Sequence, residues 1–302
     1  MTLWGLDLGG TKIEGAILDP ANPGQAVHRL RLPTESPLGY KHILGQIGRV
    51  VEQLEAVSGQ KRPAKLGLGT PGATEPATGT MKNSNTTCLI GQPLRQDVSA
   101  TLNLEAVLAN DADCFALAEA TLGAAQGYPV VMGLILGTGV GGGLVVHGRL
   151  LEGLHGIAGE WGHNPICGET TPCYCGRKGC VETVLAGPSL ERFYREQGGA
   201  EDIRLPEIVR RATTGDPIAR ATLARLQEKF GEAIAAIINV LDPDAIVIGG
   251  GVGNIDVLYT AEARTAVLRH TFNPGVRTRF LKPALGDSAG VFGAAMLCAS
   301  RP

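Results

Sequence analysis

Apolar positions along the chain follow two periods. Residues 3–8 (LWGLDL) and 13–18 (IEGAIL) are short apolar runs, joined by Gly9-Gly10-Thr11-Lys12. That pattern predicts two strands around a tight glycine turn. Over 40–57, Ile43, Leu44, Ile47, Val50, Val51 and Leu54 recur at helical spacing. A strand over 65–69 stops at Thr70-Pro71-Gly72, and a loop rich in Thr, Gly, Pro and Asn runs to about Pro93. Residues 104–109 predict a strand ending at Asn110-Asp111, with a helix over 112–125. A second series follows: strands over 130–136 and 143–146 around Gly137–Gly142, then a helix over 216–241 that closes before Pro243. A strand over 245–248 enters Gly249-Gly250-Gly251, and helices are expected near 255–269 and 288–299.

The two series are related. GLDLGGTKIEGAIL (5–18) set above GLILGTGVGGGLVV (133–146) gives five identities in fourteen positions. Each copy is strand, glycine turn, strand, and each opens an α/β half, so two similar halves flanking a ligand cleft are expected. Asp7 and Lys12 of the first copy become Ile135 and Val140 in the second. The first turn therefore carries charge, and the second offers only backbone.

Composition narrows the class. The chain has 302 residues, 44% hydrophobic and 19% charged, which excludes a disordered chain. Its 27 Lys+Arg against 29 Asp+Glu argue against a nucleic-acid binder with a broadly basic surface. No apolar run reaches membrane-spanning length, and the start lacks a basic n-region, so a cytoplasmic protein with no membrane partner is expected. In that compartment the seven cysteines should be thiols or metal ligands rather than disulfides.

Gly137 to Gly142 fits G-x-G-x-x-G, but LVVHGRL follows where a dinucleotide-binding fold needs a helix. The run reads instead as a hairpin, structural or anion-binding. Asp7-Leu-Gly-Gly-Thr-Lys12 has sharper logic: a carboxylate for hydrated Mg²⁺, glycines for close phosphate approach, Thr11 donors and a Lys12 point charge. The plainer alternative is an ordinary hairpin with a solvated lysine. Asp111 sits where a strand gives way to a helix, placed either to cap that helix or to accept a hydroxyl proton. His163, Cys173, Cys175 and Cys180 have the spacing H-x9-C-x-C-x4-C, a Cys₃His set suited to structural Zn²⁺. Cys167 offers a substitute ligand. Glu160 and Glu182 bracket the set.

DLGGTK (7–12), AGEWGH (158–163) and CYCGRKGCVE (173–182) together resemble the ROK family of bacterial sugar kinases and sugar-responsive repressors, over about residues 3–299. The resemblance implies an actin/hexokinase-like (ribonuclease H-like) duplicated α/β fold with two α/β domains flanking a cleft. It places a small domain at 1–118, with a C-terminal helix at about 288–302 returning to it. A large domain at 119–287 carries a zinc-binding insert at about 160–182. It further implies an ATP- and Mg²⁺-dependent hexose kinase acting on the 6-hydroxyl. Asp111 would be the catalytic base. Gly72, Asn85, Asn110, Glu160, His163 and Glu182 would bind the sugar, His163 also binding zinc. Asp7, Gly9, Gly10, Thr11, Lys12, Gly137, Thr138 and Gly139 would hold the ATP phosphates and Mg²⁺, with Gly249, Gly250 and Gly251 lining the nucleotide side. A homodimer is expected by the same analogy. The repressors carry a helix-turn-helix ahead of the DxGGT turn; with Asp7 seventh, a kinase is expected here and no nucleic-acid partner. KNSNT (82–86), GQPL (91–94) and EWGHNP (160–165) resemble the family's fructokinases, while 130–143 is closer to its N-acetylglucosamine kinases. Fructose is therefore the expected sugar, with N-acetylglucosamine kinase or glucokinase as the alternative and a non-catalytic sugar sensor as a further one.

Overall fold

The computed structural model describes residues 2–299. The chain forms two compact units. One comprises the chain up to Gly127, Gly143–Ala158 and the chain from Ala284; the other comprises Tyr128–Gly142 and Gly159–Pro283. Sequence reasoning set boundaries at 118/119 and about 287/288, with the C-terminal helix returning to the small domain. The chain in fact passes between units four times.

The first unit holds strands β1 (Leu3–Leu8), β2 (Lys12–Asp19), β3 (Asn22–Pro33), β4 (Lys65–Thr70) and β7 (Glu105–Asn110), in the sheet order β3-β2-β1-β4-β7. A small hairpin, β5 (Ala73–Thr74) with β6 (Met81–Lys82), follows β4. The second sheet runs β10 (Arg149–Leu150), β9 (Val140–Val146), β8 (Val130–Leu136), β11 (Ala245–Gly249), β12 (Arg279–Leu281). Position for position, the two orders are the same. The duplication inferred from fourteen aligned residues therefore extends to whole sheets. β9 starts in the second unit and ends in the first.

Helix α1 (Tyr40–Ser58) packs its apolar stripe, including Ile43, Ile47, Val50 and Leu54, with Trp4, Leu6, Leu8, Ile13 and Ile17 of the sheet. Removing one such buried side chain costs about 2–5 kcal/mol. The opposite face takes α3 (Asp111–Thr121) and α10 (Ala289–Met296). α10 rests its backbone directly on β1 and β4: a Cβ on Gly5 or Gly67 would run into the main chain of Val291, Ala294 and Ala295. α2 (Leu94–Leu102) completes this unit's helices. The second unit carries α4 (Glu182–Leu185), α5 (Gly187–Glu196), α6 (Leu205–Thr213), α7 (Pro217–Leu241), α8 (Gly250–Gly253) and α9 (Ala261–Leu268).

Several elements depart from expectation. β3 was not foreseen. It is a polar edge strand, with Leu30 and Leu32 packed against the core and Arg29 and Arg31 alternating with them. α2 was not foreseen either, although Leu94, Val98 and Leu102 bury at four-residue spacing. The helix near 255–269 is a short 3₁₀ turn (Asp256–Tyr259) followed by α9. The last helix ends at Met296, and residues 300–302 of its expected range lie outside the described residues.

Candidate active site

Strand register gathers the charged part of the first unit. Asp7 pairs with Gly69 of β4, and Gly69 with Ala109 of β7, two residues before Asp111. Asp7 and Asp111 thus lie at the carboxyl ends of parallel strands, where α/β folds place ligands. The Asp7 carboxylate is wedged between strand and helix. A Cβ on Gly290 of α10 would lie 2.7 Å from its Oδ2, and one on Gly69 would lie 3.5 Å from its Oδ1. Burial, then the charges of Asp111 and Glu14, push its pKa from 3.8 up to about 6. Carboxylates crowded in this way fit a divalent cation, which would relieve their repulsion.

The glycine turn beside it is braced by the segment that follows β3. Thr34 Oγ1 donates to the Gly9 carbonyl at 2.6 Å, Ser36 Oγ to the Gly10 carbonyl at 3.0 Å, and the Thr34 amide to the Thr11 carbonyl at 2.9 Å. Three turn carbonyls are thereby engaged by protein donors, which suits a turn that meets a phosphate chain. Sequence reasoning missed Thr34 and Ser36, which lie about 25 residues away in the chain. Lys12 starts β2 and is half exposed.

At the β7–α3 junction the two sequence readings are separated. Asn110, not Asp111, is the N-cap, and its Oδ1 accepts the Ala112 amide at 2.8 Å. Asp111 is the first helical residue, exposed, with Oδ1 on the same amide. Gly143 lets β9 pass against this turn, since a Cβ there would lie 2.7 Å from Asp113 Cα. Gly72 packs against Lys82 and Ser84 with no room for a side chain, and its carbonyl accepts from Thr70 Oγ1 at 2.9 Å. Asn85 is exposed on the loop after β6, where the neighbouring Thr86 packs on Gly10.

In the second unit Gly137, Thr138 and Gly139 form the turn between β8 and β9, and the Gly137 amide donates to the Gly139 carbonyl. Glu182 Oε2 accepts the Val140 amide at 2.9 Å, so the residue that opens α4 is anchored on this turn. Gly249 ends β11. Gly250 has φ +83° and lies against the Leu136 backbone, where only glycine fits; Gly251 faces open space.

His163, Cys173, Cys175 and Cys180 each bring one ligand atom within 4.8 Å of the others. His163 Nδ1 is 3.6 Å from Cys173 Sγ, and Cys175 Sγ is 3.6 Å from Cys180 Sγ. Tetrahedral zinc–nitrogen and zinc–sulfur bonds of ordinary length would separate such pairs by about 3.5–3.8 Å, so the group fits Zn²⁺. Gly176 and Gly179, with φ of +85° and +68°, turn the chain back between the cysteines. Cys167 lies outside the group, exposed, with its amide on Glu232. The other imidazole nitrogen of His163 lies 3.0 Å from the Tyr174 hydroxyl. The Tyr174 ring is largely exposed, while its hydroxyl, desolvated against this group and near Glu182, Cys173 and Glu160, has its pKa pushed up to about 12. Glu160 directly precedes the 3₁₀ turn that carries His163.

Among the described residues, no helix is long and apolar enough to cross a membrane.

Comparison with known proteins identifies the family. The chain is 37% identical over 312 residues to an N-acetyl-D-glucosamine kinase from Pasteurella multocida, covering 99% of both chains. It is 35% identical over 304 residues to the N-acetylgalactosamine kinase AgaK from Shewanella sp. (strain ANA-3), covering 97% of this chain and 96% of that one. The crystal structure of a ROK hexokinase from Thermus thermophilus superposes with a TM-score of 0.86 at 32% identity, covering 98% and 97%. Residues 3–301 match the ROK family, and this chain, with its duplicated actin/hexokinase-like sheets, belongs to it.

Proposed function

We propose that the protein is an ATP-dependent sugar kinase that phosphorylates the 6-hydroxyl of an N-acetylhexosamine, with N-acetylglucosamine preferred. The observation that carries the class is the pairing of Asp111 with Asp7 at one end of the first sheet, beside a braced glycine turn. The sugar follows from full-length similarity to two N-acetylhexosamine kinases. The fructokinase-like stretches at 82–86, 91–94 and 160–165 favoured fructose, but the relatives support the alternative over that reading.

In this reading Thr11 and Lys12, with the amides of Gly9 and Gly10, hold the donor phosphates. The turn at Gly137, Thr138 and Gly139 and the run Gly249–Gly251 take the rest of the nucleotide. Magnesium would be held at Asp7, and when bound would supply positive charge to the donor phosphates. Asp111 accepts the proton of the attacking hydroxyl. In a loose transition state that proton leaves late, so the carboxylate needs correct placement more than high basicity. Glu160, His163, Glu182, Asn85 and Asn110, with the Gly72 backbone, orient the sugar. Zinc would be held by His163 Nδ1 and the three cysteines, fixing both His163 and the segment that leads to Glu182. Most of the rate then comes from positioning.

The test is a sugar panel with ATP and Mg²⁺: N-acetylglucosamine, N-acetylgalactosamine, fructose, glucose and mannose, compared by kcat/KM from ADP release. N-acetylglucosamine should lead, with the product phosphorylated at C6. A higher kcat/KM for fructose or glucose would overturn the sugar, and ADP release with no sugar in the panel would overturn the kinase.

A further inference from the structure

The mechanism above gives the buried Glu14 of β2 no task. Glu14 is 2% exposed, yet it faces three cations. One carboxylate oxygen accepts from Arg29 Nε, the other accepts from Arg31 Nε at 2.7 Å, and Lys12 Nζ lies 3.9 Å away. Strand register explains the meeting. Asp7 pairs with Glu14, and Glu14 with Arg31, so the three form one row across β1, β2 and β3. Directly paired residues share a face, and so do residues two apart in a strand. Lys12 and Arg29 therefore project from that same face, the one that carries Asp7.

Charged residues on an edge strand can serve simply to block pairing with another sheet. That role accounts for exposed arginines but not for a carboxylate buried among them. Burying a carboxylate is costly unless it is paired, and one arginine would suffice to pair it. Here two are used, each engaged side-on through Nε. Contact through Nε leaves terminal amino hydrogens of the guanidinium available to a further acceptor such as a phosphate oxygen. Arg31 lies closer than Arg29 to the turn along β3, and its charge, like that of Lys12, bears on Asp7.

We propose that Arg31 is a further cation for the phosphate chain of the nucleotide donor, and that buried Glu14 is the positioning residue that aims it. The proposal takes the identity of the phosphate chain from the kinase reading; its site rests on the row Asp7–Glu14–Arg31 alone.

Calorimetric binding tests it without turnover. Arg31→Gln should weaken MgATP and inorganic tripolyphosphate about ten-fold, with a shallower dependence on salt, and leave adenosine and sugar binding unchanged. Arg31→Lys, which keeps the charge and loses the guanidinium, should fall in between. Arg29→Gln, two residues further from the turn, should change MgATP affinity less than two-fold. Glu14→Gln should weaken MgATP as well, and the Glu14→Gln, Arg31→Gln double variant should be no worse than Arg31→Gln alone, the coupling expected of a residue that acts through another. Unchanged MgATP affinity in Arg31→Gln, or an equal loss in Arg29→Gln, would overturn the arginine's role. Additive losses in the double variant would overturn the glutamate's. Should Glu14→Gln fail to fold, the variants of the half-exposed Arg31 still decide. A protein that binds MgATP but phosphorylates no sugar would remove the kinase reading and leave this one standing.

Discussion

The Glu182 carboxylate accepts a 2.9 Å hydrogen bond from the Val140 amide, and the same oxygen lies 2.7 Å from where a Cβ on Gly139 would stand. The second glycine turn and the chain leaving the Cys/His group are therefore fitted to each other. Gly139→Ala should push Glu182 off the turn and raise the sugar KM about ten-fold, the scale of a small misplacement in a binding site. Zinc content should not change. A variant with the parental sugar KM would show that the contact does not set the glutamate's position.

Asp111 is exposed at the first residue of α3, while Asn110 does the capping. Asp111→Asn should therefore lower kcat by roughly 10²–10⁴-fold, the range for loss of a general base, with sugar and nucleotide still binding. Turnover within a few-fold of the parent would remove it from the chemistry.

Asp7 supplies a pH signature. Its folded pKa of about 6 lies above the ordinary 3.8, so folding favours the neutral acid. That contribution is fully present below pH 3.8 and is lost as pH rises through about 6. In the ligand-free protein the ionised group then costs about 3 kcal/mol near pH 8 and roughly half that at pH 5. Asp7→Asn should stabilise the ligand-free protein more at pH 8 than at pH 5 in denaturant titrations. Conversely, kcat/KM for MgATP in the parent should fall below about pH 6, as the carboxylate protonates. Equal stabilisation at both pH values would contradict the shift.

The Cys₃His group should carry about one zinc per chain, measured by elemental analysis, because four ligand atoms already lie at zinc-compatible spacing. Chelation should lower both the melting temperature and the sugar affinity. A metal-free preparation with full activity would contradict the scaffold role of His163.

Glu119 is fully buried in α3 and accepts the amides of Ala124, Ala284 and Leu285 at 2.8–3.1 Å. Glu119→Leu would leave three backbone donors unsatisfied, at about 1–3 kcal/mol each. It should lower unfolding free energy by several kcal/mol, with Glu119→Gln milder because one acceptor survives. A loss under about 1 kcal/mol for Glu119→Leu would show that water replaces the carboxylate.

What the sequence disclosed depended on how local the cause was. The β1–β2 turn, α1 and the β7–α3 junction were legible because a few adjacent residues determine them: an apolar run, a glycine pair, a strand meeting an acidic helix start. That His163, Cys173, Cys175 and Cys180 come together was legible from spacing. β3 was obscured because only Leu30 and Leu32 pack inward while polar residues fill the rest of an edge strand. Glu14 looked like an ordinary polar position in a hairpin, since its partners Arg29 and Arg31 are reached only once β3 folds back. The bracing of Gly9 and Gly10 by Thr34 and Ser36 and the contact of Tyr174 with His163 also arise from chain separations that no short motif encodes. Asp111 could be located from sequence but not assigned, because only the structure shows that Asn110 takes the cap.

The bare backbone strip at Gly5 and Gly67 has a consequence for biosynthesis. α10 covers it, and α10 follows every strand of that sheet in the chain, so it is synthesised after all of them. Until then β1 and β4 present an uncovered surface to solvent or to chaperones, even though the residues of their sheet were translated long before. A nascent chain halted near Pro283 should therefore remain protease-sensitive in the β1–β4 sheet, and supplying α10 as a separate peptide should restore protection.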